Sequence, residues 1–84
     1  MVEVFLTPEA QVQLDHLPKT IRARVYTLIE RLGRWPQVSG AKPLRGELAG
    51  KFRLRTGDYR LQLRVEGTKV IVERIGHRGG FYER

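Results

Sequence analysis

The chain has no cysteine, which removes disulfides, thiolate nucleophiles and thiolate metal ligands at once. Serine is reduced to Ser39, in a segment broken by proline and glycine, and that is poor material for a Ser/His/Asp triad. Only two histidines occur, His16 and His77, and no HExxH, paired-carboxylate or P-loop pattern accompanies them. Metal-dependent hydrolysis is therefore disfavoured, and neither a metal site nor a cofactor is expected. The apolar runs are far too short to span a bilayer, and Met1 leads into structured sequence without the apolar stretch of a signal peptide. The expectation is a cytoplasmic protein with no membrane partner. Acidic side chains are also scarce, nine against sixteen Lys and Arg, leaving a net charge of +7.

What is present is one domain, residues 1–84, with a modest core. "VEVFL" (Val2–Leu6) is β-branched and aromatic and reads as a strand. Thr7 can cap the helix that follows, with Pro8 at its first position and Glu9 in its first turn. Ala10, Leu14 and Leu17 give that helix one apolar face until Pro18 interrupts it. A second helix starts near Lys19 and presents Ile21, Val25, Leu28, Ile29 and Leu32 as a stripe, with Gly33 a natural stop. Residues 34–49, with two prolines and two glycines, read mostly as loop.

From Lys51 the hydrophobic period changes from 3.6 to 2. Gly57-Asp58 and Gly67-Thr68 are candidate two-residue turns, the first of type II′. Taken literally, they set Arg55 opposite Arg60, Arg53 opposite Gln62 and Lys51 opposite Arg64. In the second hairpin they set Leu63 opposite Val72, Arg64 opposite Ile71 and Gln62 opposite Glu73. Phe52, Leu54, Tyr59, Leu61, Leu63, Val65, Val70 and Val72 then share the face that packs on the helices. The fold class is α+β, in the order β-α-α-β-β-β, with an antiparallel sheet and both helices on one side.

The other face of that sheet collects Lys51, Arg53, Arg55, Arg60 and Arg64, and only Glu73 and Glu66 oppose them. Residues 51–84 hold nine basic and four acidic side chains. Like charges directly opposite on paired strands destabilise a sheet, so such a face implies a ligand that brings negative charge. Alternation carried through Ile71, Glu73 and Ile75 sets His77 on the same side, with Arg78 beside it and Tyr82 beyond a Gly79-Gly80 turn. Aromatics among guanidinium groups suit single-stranded RNA, whose bases stack on them. With no protein nucleophile available, the remaining chemistry is metal-independent RNA scission. There the ribose 2′-OH attacks, and the protein positions it, stabilises the phosphate and moves protons.

The stretches "PLRGELAGKFRLRTGDYRLQLRV" and "KVIVERIGHR", with the closing Tyr82, resemble the RelE/ParE superfamily of type II toxins, on its mRNA-cleaving RelE side. The resemblance implies a ribosome-dependent endoribonuclease that cuts mRNA in the A site, inhibits translation and is neutralised by a RelB-like antitoxin. It implies that Lys51 is the general base, Arg60 and Arg78 hold the scissile phosphate, and Tyr82 orients the base. Arg45, Arg55 and Arg64 join them as RNA-binding residues. Arg53 stands where RelE-type relatives carry a lysine assigned as general acid, and arginine rarely releases a proton. His77 is the alternative acid. Two other functions stay open: a ParE-like toxin that binds DNA gyrase, and an inactive relative that binds RNA or antitoxin.

Overall fold

The computed structural model describes residues 2–81. The chain runs β1 (Glu3–Leu6), α1 (Pro8–Asp15), α2 (Lys19–Leu32), β2 (Lys42–Pro43), a 3-10 turn (Gly46–Leu48), β3 (Lys51–Thr56), β4 (Tyr59–Glu66), β5 (Lys69–His77) and a terminal turn of helix, α3 (Arg78–Phe81). One five-stranded sheet has the order β1-β5-β4-β3-β2. The expected α+β build and the strand–helix–helix start are present. Two features differ from expectation. The sheet is mixed, because β1 pairs with β5 in parallel. Nothing local fixes the direction of a first strand whose partner lies at the far end of the chain. The segment expected as loop also contributes β2, pairing Lys42 with Arg53 and Pro43 with Phe52.

The helices form for the reasons legible in their sequences. Thr7 caps α1: its hydroxyl oxygen accepts from the Ala10 N–H at 3.1 Å. α2 ends at Gly33. Ala10 and Leu14 from α1, and Val25, Leu28 and Leu32 from α2, bury against Leu54, Leu61, Leu63, Val70, Val72 and Ile75 of the sheet. Trp35 meets Phe52 edge-on at 4.7 Å, and with Val38 and Ala41 it packs the β2 approach against this core.

The first hairpin has the expected register throughout, from Arg55–Arg60 to Lys51–Arg64. Gly57 has a φ of +59° and Asp58 does not have a positive φ, as a type II′ turn requires. The second hairpin begins as expected, with Leu63 opposite Val72 and Arg64 opposite Ile71, and then shifts. Gln62 faces Arg74, not Glu73, because a bulge inserts one extra residue in β5. Side-chain parity reverses beyond it. Ile75 is core (2% exposed), and His77 lies opposite Tyr59 instead of beside Arg60.

A bulge leaves backbone groups without ladder partners, and buried ones must be satisfied elsewhere. Helix α1 does this. The Thr7 hydroxyl donates to the Glu73 carbonyl at 3.1 Å, and the Gln13 side-chain oxygen accepts from the Ile75 N–H at 2.7 Å. Gln13→Ala should therefore strand a buried donor and cost about 1–3 kcal/mol. Val12→Ala, one position away and 56% exposed, should stay within about 0.5 kcal/mol of the parent. Urea unfolding of both variants measures the difference, and equal midpoints would refute the stitching role of Gln13.

Candidate functional site

The sheet face turned away from the helices carries the charge. Cross-strand neighbours share a face, so β2, β3, β4 and β5 line up as rows: Arg55 and Arg60 with Gly76; Lys42, Arg53 and Gln62 with Arg74; Lys51 and Arg64 with Ile71. Five cations expected on this face, Lys51, Arg53, Arg55, Arg60 and Arg64, are brought together there. Two more, Lys42 and Arg74, join them. Lys42 was hidden in a segment of loop composition. Arg74 is delivered by the bulge, for which the sequence held a signal: in "VERI" two charged residues separate the core positions Val72 and Ile75, where strict alternation allows one.

One acid organises the lower rows. Glu73 is the extra residue of the bulge and its side chain is only 14% exposed. Its carboxylate accepts from Lys51 Nζ at 3.1 Å, from Gln62 Nε2 at 3.1 Å and from Arg64 Nη1 at 2.6 Å. Gln62 itself is buried, at 4% exposure. Desolvation pushes the Glu73 carboxyl upward, but the hydrogen bonds from Arg64, Gln62 and Lys51 outweigh it and hold the group below its ordinary value. Arg64 also reaches Glu66 at 2.8 Å, and the bonds to Glu66 and Glu73 hold its guanidinium above its ordinary value. A cleft of about 330 Å³ opens beside Glu73, between Lys51, Gln62 and Arg74 on one side and Thr7, Pro8 and Glu9 on the other.

The upper row is different. Arg60 Nη1 lies 3.5 Å from the Gly57 carbonyl, and its Nε is buried with no hydrogen-bond partner among the described residues. An unpaired buried donor on a charged group is costly, so this end of the face is poised for an acceptor.

The remaining candidates are placed as follows. Arg78 opens α3, and its backbone N–H donates to the Asp58 carbonyl at 2.7 Å, fixing it beside the β3–β4 turn, at the Arg55–Arg60 end of the face. His77 sits off the basic face: its ring meets Tyr59 edge-on at 5.3 Å, and its Nδ1 accepts from the Gly79 N–H at 3.0 Å. The expectation that alternation sets His77 among the arginines is corrected by the bulge. Arg45 is exposed just before the 3-10 turn. Tyr82 lies outside the described residues. Among those residues no cluster of His, Cys, Asp or Glu has the makings of a metal site, and no helix is long and apolar enough to cross a membrane.

A helix pair on one side of a small sheet and an arginine-rich surface on the other make the build of a RelE/ParE-type toxin. The chain belongs to that superfamily of type II toxins: a family model described as the ParE toxin of the parDE type II toxin-antitoxin system matches residues 4–80. Toxin RelG of Mycobacterium tuberculosis is 43% identical over 84 aligned residues, spanning 96% of this chain and 95% of the relative. Toxin RelE3 of Methanocaldococcus jannaschii is 30% identical over 73 residues, 83% of each chain. Among solved structures, the toxin-antitoxin complex RelBE2 from Mycobacterium tuberculosis superposes with a TM-score of 0.80 at 40% identity, covering 92% of this chain and 98% of that one.

The depressed Glu73 value sets an acid limit on stability. The native chain keeps this carboxylate ionised to lower pH than the unfolded chain does. Its contribution is thus complete above its ordinary value of 4.5 and is lost as pH falls through the depressed native value. Glu73→Gln should remove that limb. Subtracting its urea midpoints from those of the parent should give a difference that shrinks as pH drops below about 4.5. A difference that does not vary with pH would contradict the assignment.

Proposed function

We propose that this toxin is a ribosome-dependent mRNA endonuclease: the 2′-OH of an A-site nucleotide attacks the adjacent phosphodiester without a metal, translation stops, and a RelB-like antitoxin silences the chain. The observation that carries this reading is the upper row of the basic face. Arg55 and Arg60 stand directly opposite each other, and Arg60 has a buried donor that no partner among the described residues satisfies. A phosphodiester supplies both the missing acceptor and the missing charge. In the reaction the O2′–P bond forms, the P–O5′ bond breaks, and the products are a 2′,3′-cyclic phosphate and a 5′-OH. Charge grows on the non-bridging oxygens as the phosphorus becomes five-coordinate, and fixed guanidinium groups stabilise that state most. Arg60 takes this role, Arg78 the second side of the phosphate, Arg53, Arg55, Arg45 and Arg64 the flanking backbone, and Tyr82 the base.

Arg60→Ala should abolish mRNA cleavage and growth inhibition without unfolding the chain, since its side chain faces away from the core. Loss of one preorganised donor typically costs about 3–4 kcal/mol, roughly 100- to 1000-fold in rate. Mapping mRNA 5′ ends after in vitro translation with each variant is the test. A folded Arg60→Ala toxin that still cuts would end the reading.

The match to a ParE toxin model supports a second reading, binding to DNA gyrase without RNA chemistry. The same translation assay separates the two: cuts in the A site indicate the nuclease, and gyrase-dependent DNA breaks with intact mRNA indicate the other.

Lys51 and His77 are the two candidates for proton transfer, and their surroundings favour Lys51. Lys51, ion-paired with Glu73, accepts the 2′-OH proton only once that pair opens and its own proton has left. His77, across from Tyr59 with Nδ1 engaged by the Gly79 N–H, has poor access to a phosphate bound at Arg60. Lys51→Ala is therefore expected to slow single-turnover cleavage by roughly 100- to 10,000-fold, the span of general acid–base catalysis. His77→Gln should cleave nearly as the parent does. A rate that falls steeply for His77→Gln, with loss of a limb near neutrality in the pH–rate profile, would return the acid role to histidine.

A further inference from the structure

The lower rows of the basic face hold a feature that cleavage at Arg60 leaves unexplained. Three donors, Lys51 Nζ, Gln62 Nε2 and Arg64 Nη1, converge on a single acceptor group, the Glu73 carboxylate. An anion gripped by an ammonium, an amide and a guanidinium is also how a protein holds a phosphate. Building on the proposed RNA chemistry, we infer that Gln62 and Arg64 form a second phosphate subsite, for the RNA backbone beyond the scissile bond, that Glu73 is its internal occupant, and that the incoming phosphate displaces Glu73 and so releases the base Lys51 from its ion pair.

Three observations support exchange over a fixed strut. Glu73 is the bulge residue, so its backbone is set by Thr7 and the neighbouring Ile75–Gln13 bond, independently of where its carboxylate lies. The cleft of about 330 Å³ beside it, lined also by Thr7, Pro8 and Glu9, gives the side chain room to leave and an anion room to enter. The donors continue the face that holds Arg60: Arg64 lies four residues from Arg60 on β4 and Lys51 four from Arg55 on β3, with Gln62 and Arg53 in the row between. Four residues along a strand advance about 13 Å, on the order of two steps between backbone phosphates in an extended strand. An acidic partner peptide would meet the same donors, but the continuity with the Arg60 row favours a nucleic-acid backbone. The consequence is a threshold. With Glu73 in place the lower rows attract stray polyanions weakly, and an RNA that engages the upper row first brings the second phosphate within reach.

The probe is a fluorescent 2′-O-methyl RNA oligonucleotide, which lacks the attacking hydroxyl and stays intact. Its affinity is measured over a salt series for the purified chain and for variants checked by circular dichroism. Glu73→Gln should bind roughly tenfold tighter, since a like charge in an anion's place costs at least the 1.4 kcal/mol that tenfold represents. Its salt slope should steepen by about 0.7, one further phosphate contact on a single strand. Glu30→Gln, an equal charge change on the exposed side of α2, should do neither. With Glu73 retained, Lys51→Ala and Arg64→Ala should each cost much less affinity than Arg60→Ala, because their donors begin occupied; this arm decides the matter even if Glu73→Gln does not fold. Unchanged or weaker binding by a folded Glu73→Gln, losses equal to that of Arg60→Ala, or tightening seen only with an acidic peptide would each overturn the subsite. If Arg60→Ala abolishes binding while Glu73→Gln matches the parent, only this inference fails. If the parent chain does not bind the probe at all, the RNA reading fails with it.

Discussion

The bulge in β5 is the constraint on which the rest of the site depends. One extra residue between Val72 and Ile75 turns Glu73 and Arg74 onto the charged face and returns Ile75 to the core. It also sends His77 to Tyr59 and sets the approach of Arg78 to the Asp58 carbonyl. The cost is a broken ladder, and α1 offsets it with two side chains, Thr7 and Gln13, that take up the freed carbonyl and N–H. The first helix is thus more than cover for the hydrophobic face: it determines where the charges of the other face come to rest.

Those charges are arranged unevenly. Lys51 and Arg64 are neutralised in part by Glu73 and Glu66, as a stable sheet requires of like charges directly opposite on neighbouring strands. At the Arg60 end a guanidinium nitrogen is buried with no acceptor among the described residues. A small domain has few kcal/mol in reserve, so an unsatisfied donor survives where its neighbours over-determine it. Type II′ geometry at Gly57-Asp58 supplies that rigidity, since it fixes the strand ends on which Arg55 and Arg60 stand.

Much of this was legible beforehand because it rests on local pattern. Turn chemistry at Gly57 and the period-2 run after Lys51 set the first hairpin to the residue, and with it five of the basic side chains. The apolar stripes of both helices, the Thr7 cap and the core face of the sheet followed from periodicity. What escaped depended on non-local pairing. The direction of β1 is decided by a partner at the other end of the chain, and β2 is too short to show a period. The bulge reversed every inference carried past it, His77 first, although the doubled charge in "VERI" marked its place.

Pro43 ends the two-residue strand β2 at the outer margin of the sheet. Having no N–H, it cannot continue a ladder toward a newcomer, and two residues offer little length to template one. The opposite margin, β1, is four residues long and contains no proline, so each of its residues has a backbone N–H. As a polymerising unit the domain is therefore one-sided: a strand docking from another chain has a single berth, and copies of this sheet cannot stack edge to edge into a continuous ribbon.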